Sequence, residues 1–322
     1  MSSGMIDFSI IIMTLDAIIN WLLDGDAALQ YQVHRDLLGT DKRRLRELIA
    51  KEGWGARLLS LRGEDGHWGR GFYQPKWTST HYTLLDLRQL EISPLQKEIR
   101  ATVRMIARDR KAPDGGINPS DSYSRGEVCI SGMFLNYASY FTTSEESLRS
   151  VVDFLLSQHM ADGGFNCHSN RSGAVHSSLH TTISAAEGIA GYARSGYSYR
   201  LHELQNAGEA CRRFMLAHRL FRSDRSGEVI DAKMLMLSYP PRWRYDILRA
   251  LDYFRFAGAA YDDRLCEALE VLVRKRRPDG RWPLQAKHAG HTHFDMEPAG
   301  QASRWNTLRA LRVLEYFHRG TV

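Results

Sequence analysis

The sequence repeats itself about every fifty residues, and a chain made of one recurring unit buries its apolar faces by stacking copies of that unit. Asp-Gly pairs recur at Asp65-Gly66, Asp114-Gly115, Asp162-Gly163 and Asp279-Gly280, the first three 49 and 48 residues apart, with a degenerate version from Ser223 to Gly227. Behind each loop comes a segment with apolar residues at i, i+3 and i+4: STHYTLLDLRQL, CISGMFLNYASYF, SSLHTTISAAEGIAGYA, RWRYDILRALDYF and SRWNTLRALRVLEYF. This spacing predicts helices. ALQYQVHRDLLG, from Ala28 to Gly39, has the same character without a glycine loop before it and makes six. The last two share Leu-Arg-Ala-Leu, at Leu248 to Leu251 and Leu308 to Leu311, as a duplication would leave them.

Segments with one strongly charged face alternate with these six, among them DKRRLRELIAKE, SPLQKEIRATVRMIARDR, SEESLRSVVDFLLSQHM and LHELQNAGEACRRFMLAHRL. Their charge suits an outer, solvated layer. The expected fold is therefore all-α: an α/α toroid, or (α/α)6 barrel, with six inner and about six outer helices. One domain is expected over residues 14–322, its first helix running from Thr14 to Leu23, with residues 1–13 as an N-terminal extension.

Composition narrows the function classes. With 43% apolar and 25% charged residues in 322, the chain is neither disordered nor collagen-like. Its net charge of +6 comes from interspersed charges of both signs, which does not call for nucleic acid as a partner. Four cysteines without a Cys-x-x-Cys pair read as reduced thiols, and hence as a cytoplasmic protein. Asp7 and Asp16 interrupt the stretch from Ile6 to Leu23, so neither a transmembrane segment nor a signal peptide is expected.

The glycine and aromatic residues of EDGHWGRGF, PDGGINPS, ADGGFNCHS and PDGRWPLQ, each ahead of an inner helix, resemble the repeats of terpenoid cyclases and protein prenyltransferase beta subunits. The resemblance covers roughly residues 28–317 and implies the toroid. It implies an enzyme less directly, because the Asp-x-Asp-Asp acid motif of the protonating cyclases and the Asp-x-Cys zinc motif of the prenyltransferases are both absent.

Candidate site residues gather where inner helices begin, since parallel inner helices would bring their unpaired N–H groups to one mouth and favour an anion there. Arg35, His81, His176, Arg242, Arg244, Tyr245, Arg304, Trp305 and Asn306 are the candidate ligand-binding set, with arginines for phosphate or carboxylate and aromatics for an apolar tail. Asp246, His180 and Asp295 are the candidate proton-transfer groups. Cys167, His176 and His180 form a candidate metal set suited to zinc, with Zn2+ or Mg2+ as candidate cofactors that no motif requires. The long loop from Lys287 to Asn306 would cover a ligand.

The leading functional expectation is a small amphiphilic or anionic ligand in the toroid lumen, of isoprenoid diphosphate type. If the chain is an enzyme, that ligand implies a cyclase, lyase or transferase. Two alternatives stand beside it: a polysaccharide lyase or glycosidase-like toroid enzyme, and a non-catalytic scaffold that binds a ligand or peptide. No feature of the sequence assigns an oligomeric state.

Overall fold

A computed structural model of the chain describes residues 8–122, 124–168 and 172–319. It is mostly helical. The first four helices are α1 (Phe8–Leu23), α2 (Ala27–Asp36), α3 (Arg43–Leu48) and α4 (Gly53–Ser60). Then come α5 (Thr80–Gln89), α6 (Lys97–Asp109), α7 (Val128–Tyr140), α8 (Glu145–Ser157), α9 (Leu179–Arg194) and α10 (Leu201–Ala217). The chain closes with α11 (Ile247–Phe256), α12 (Cys266–Arg274) and α13 (Arg304–Arg319). The strand content is small: β1 (Trp282–Pro283) pairs antiparallel with β2 (Ala302–Ser303), Trp282 opposite Ser303. The helix expected from Thr14 begins at Phe8, and residues 1–7 of the expected extension lie outside the described residues.

The repeat has a definite physical content. In all four Asp-Gly loops the residue two before the aspartate donates its N–H to the carbonyl two after it: Gly63 to His67, Ala112 to Gly116, Met160 to Gly164 and Arg277 to Arg281, at 2.7 to 3.0 Å. The glycine turns the chain with φ from +80° to +91°, a region closed to most side chains. The aspartate accepts the N–H two residues on at Asp65, Asp114 and Asp279, and Asp162 accepts from the Ser177 N–H at 2.7 Å. Just past the turn, the chain enters the core at Trp68, Ile117, Phe165 and Trp282, all fully buried. Each N–H there meets the hydroxyl of a buried residue in the helix that follows: Thr80 at 3.0 Å, Ser131 at 2.9 Å, Thr182 at 3.0 Å and Thr307 at 3.0 Å. Trp68 and Trp282 add indole bonds back to the preceding helix, to the carbonyls of Leu58 (2.6 Å) and Leu272 (2.7 Å). One short turn thus ties two successive helices together.

Two kinds of helix follow from this. Every residue from Thr80 to Leu87 of α5 is buried, and α7 is buried nearly all round. By contrast α6, α8 and α10 bury one stripe only. The closest pair is α7 and α9, whose backbones touch: a Cβ on Gly132 would stand 2.6 Å from Ala185 Cα, and one on Gly188 would stand 2.3 Å from the Gly132 carbonyl oxygen. Further contacts join α5 to α7, α9 to α11, α11 to α13 and α13 to α2. Gln32 Nε2 in α2 donates to the Gln89 carbonyl at the end of α5, at 2.8 Å. The charged helix α8 touches both α6 and α10.

Losing one hydroxyl of the repeated bond leaves a buried N–H unpaired, at a cost of about 1–3 kcal/mol. Thr307→Val, nearly isosteric, is therefore expected to lower the unfolding midpoint by several degrees. An unchanged midpoint in thermal or urea denaturation would show that the bond does not hold the loop to the helix.

Candidate functional site

The last turns of α2, α5, α9 and α11 carry arginine: Arg35, Arg88, Arg194 and Arg255. A cation there complements the partial negative charge of a helix C-terminus. With Arg249, Arg309 and Arg312 from within α11 and α13, these side chains line a cavity of about 220 Å3. The stacked pair Tyr239 and Trp305, 4.8 Å between centroids and 7° from parallel, lines it as well.

Most of this charge is paired. Asp252 accepts from Arg255 at 3.0 Å and from Arg309 at 3.4 Å, and also pairs with Arg312. Arg312 reaches Asp36 at 2.8 Å. Burial would raise the Asp252 carboxyl, but the charges of Arg312, Arg255 and Arg309 overcome it and hold the group far below the ordinary carboxylate range. Arg249 holds Glu187 through Nε at 2.9 Å and Nη2 at 2.7 Å. Arg35 pairs with Asp36 and Glu91.

Arg88 and Arg194 are different. Among the described residues neither forms an ion pair. Arg88 lies 4.4 Å over the Tyr140 ring with its Nε buried and unpartnered, and Arg194 lies 4.4 Å over the Phe256 ring and donates to the Phe256 carbonyl at 3.0 Å. Burial, then the like charges of Arg255, Arg35 and Arg88, hold the Arg194 guanidinium below its ordinary value. One wall of the cavity therefore carries two guanidinium groups without an ion pair among the described residues, the charge of Glu91 opposing that of Arg194 only in part. Trp305 Nε1, Gln89 Oε1 and Asn136 Oδ1 are also buried on this cavity without partners.

A second, smaller cavity of about 100 Å3 lies under the loop that follows β1 and shares Tyr239 with the first. Asp86 lines it, 4% exposed, 3.6 Å from Arg242, with Oδ1 unpartnered. Burial raises its carboxyl to about 6 against the pull of Arg242. His293 meets Thr83 Oγ1 at 2.9 Å and His288 meets the Pro241 carbonyl at 3.1 Å. Burial, then Arg242, lowers both imidazoles to about 4.

A third cluster forms where α7 begins. Ligand-capable atoms of Glu127, Cys129 and Cys167 all lie within 4.8 Å of one another, the one such group of three among the described residues. Cys167 thus groups with Glu127 and Cys129, and His176 and His180 stand apart from it. No family model and no curated protein matches the sequence.

The residues at the expected inner-helix starts divide between structure and cavity. Asp246 caps α11, accepting from Arg249 N–H at 2.8 Å and from Ser238 Oγ at 2.7 Å. His180 Nδ1 accepts the Tyr245 N–H at 2.8 Å, so Nε2 carries the proton, and burial followed by Arg249 and Arg244 lowers its value to about 4. Asp295 is exposed and pairs with Lys287 at 2.8 Å. These three proton-transfer candidates are not brought together. His81 is fully buried against Tyr137, with Nε2 unpartnered. His176 is exposed beside Arg225. Arg304 bonds the Trp21 carbonyl and stacks on that ring, and Asn306 holds the Pro283 carbonyl at 3.0 Å. Arg244 lies over Trp243, and the Tyr245 hydroxyl is buried without a partner. Of the expected ligand-binding set, Arg35 and Trp305 line the 220 Å3 cavity and Arg242 the 100 Å3 one, while His176 lines a separate open cleft of about 800 Å3.

Sequence reasoning missed Arg88, Arg194 and Asp86. The available signal was charge inside the most apolar helices: Asp86 sits in TLLDL, and the shared Leu-Arg-Ala-Leu puts Arg249 and Arg309 on the cavity wall.

The buried imidazoles set an acid dependence. His180, His288 and His293 take up protons near 4 when folded and near the ordinary 6.5 when unfolded. The stability they contribute is complete above 6.5 and is lost as pH falls through that window. Asp86 acts in the opposite sense, because its raised value makes its contribution fade as pH rises through about 6. His34, His67 and His81 are lowered as well, and Asp26 and Glu297 are raised with Asp86, so six imidazoles oppose three carboxyls and urea midpoints are expected to fall between pH 6 and pH 4. His293→Gln should flatten that fall, and an identical slope in the variant would remove His293 from the account.

Proposed function

We propose that the chain is an α/α toroid whose lumen binds a compact polyanion, with phosphate or carboxylate groups, at the carboxyl ends of its inner helices. The ring is supported by the succession of helix contacts α5–α7–α9–α11–α13–α2 and by the Gln32 to Gln89 bond that returns α2 to α5. The arginine-lined cavity would then be the open end of the lumen, because five of those six helices contribute arginines to it or residues paired with them. The observation that carries the binding reading is the wall formed by Arg88 and Arg194, two guanidinium groups without an ion pair among the described residues.

Size decides what kind of anion. At about 220 Å3 the cavity is smaller than the roughly 300–1,000 Å3 of pockets that enclose drug-sized ligands. It suits a diphosphate or dicarboxylate head resting on Tyr239 and Trp305 better than a long isoprenoid chain. The isoprenoid expectation is thereby narrowed to its anionic head.

The test is a melting series with inorganic pyrophosphate. At a hundred times its dissociation constant the anion stabilises the fold by about 2.7 kcal/mol, a rise of several degrees in a domain this size. The rise is expected in the native chain and lost in Arg88→Gln/Arg194→Gln. No rise, or the same rise in the double variant, would overturn the reading. Farnesyl diphosphate is expected to match pyrophosphate, and a much larger shift would restore a tail pocket.

A further inference from the structure

The sequence brings a carboxylate and a thiol two residues apart to the start of α7, and the loop of the next repeat supplies a second thiol. All three positions are fixed by backbone bonds. Glu127 N–H donates to the Ile117 carbonyl at 3.0 Å, and the Glu127 carbonyl accepts from Ser131 N–H at 2.8 Å. Cys167 N–H donates to Thr181 Oγ1 at 3.3 Å. The two arms meet directly, because Cys129 N–H donates to Cys167 Sγ at 3.2 Å and the Thr181 hydroxyl donates to the same sulfur at 3.5 Å. A sulfur that accepts two such bonds is held in a fixed orientation.

The geometry points to a binding site for a thiophilic divalent metal of the zinc class, held by the Cys129 and Cys167 thiolates and the Glu127 carboxylate. Zinc–sulfur bonds of about 2.3 Å and zinc–oxygen bonds of about 2.0–2.2 Å put the corners of a tetrahedron roughly 3.3–3.8 Å apart. Candidate ligand atoms already lie within 4.8 Å of one another, so closing on an ion asks for about 1 Å of side-chain movement. Two sulfurs select zinc over magnesium or calcium, which take oxygen ligands. The Cys129 N–H and the Thr181 hydroxyl would be the supporting layer that orients a metal-bound sulfur. Three protein ligands leave one position for water or a substrate atom, the pattern of catalytic rather than structural zinc. This site is separate from the arginine-lined cavity and does not depend on it.

Cobalt(II) reports the ligand set directly, through sulfur-to-cobalt charge transfer in the near ultraviolet and intense tetrahedral visible bands. Titrating the full chain, reduced and free of metal, should give these bands at one equivalent, and Zn2+ should erase them. Glu127→Gln should weaken binding by at least about tenfold, and Cys129→Ser/Cys167→Ser should abolish the bands, while Cys266→Ser, at an exposed thiol, leaves them unchanged. Alkylation of the native chain needs no variant to fold: Zn2+ should slow modification of Cys129 and Cys167 and leave Cys266 unaffected. Absence of the charge-transfer bands, bands that persist in the double cysteine variant, or alkylation of both thiols at an unchanged rate would each overturn the site.

Discussion

The structure depends on one repeated bond, from the N–H of the first core residue after an Asp-Gly turn to a hydroxyl inside the next buried helix. Trp68, Ile117, Phe165 and Trp282 cannot enter the core unless their N–H groups are paired, and Thr80, Ser131, Thr182 and Thr307 pair them. Because the bond spans a charged helix's loop and an apolar helix, it sets the distance and angle between the two. Side chains on successive buried helices are then brought to common levels, and for that reason arginines distant in sequence share one cavity.

Much of this was legible in the sequence. The Asp-Gly spacing, the period of the apolar segments and the charge of the segments between them gave the alternation of buried and half-exposed helices. The hydroxyls were legible only as polar residues at helix starts. Nothing in their spacing said that Thr182 would face Phe165 N–H while Ser177 would face Asp162. The backbone contact of α7 with α9 was similarly hidden, since Gly132 and Gly188 read as ordinary interruptions until the two helices are set side by side.

The site was less legible, for an electrostatic reason. Sequence reasoning looked to helix amino termini, where unpaired N–H groups attract anions. Three of those termini proved to be occupied by the chain's own carboxylates: Asp26 caps α2, Asp246 caps α11, and Glu297 accepts from Arg304 N–H at 2.7 Å and from Ser303 at the start of α13. The opposite ends collect arginine to offset the carbonyl dipoles, and four carboxylates, Asp36, Glu91, Glu187 and Asp252, neutralise part of that charge. Which arginines remain uncompensated depends on reach across the cavity, and no linear pattern records it. The metal set shifted for a related reason. Helical spacing groups His176 with His180, whereas the turn before α9 carries Cys167 back towards the start of α7.

The central claim is that the arginine-lined cavity is an anion site, and the most direct measurement is a crystal structure of the chain grown with inorganic pyrophosphate. The account predicts difference density for the anion between Arg88 and Arg194 over the Tyr239 and Trp305 pair, with both guanidinium groups turned towards it. An empty cavity in crystals that hold pyrophosphate on the outer surface, or Arg88 and Arg194 each paired to a carboxylate of the chain, would contradict it.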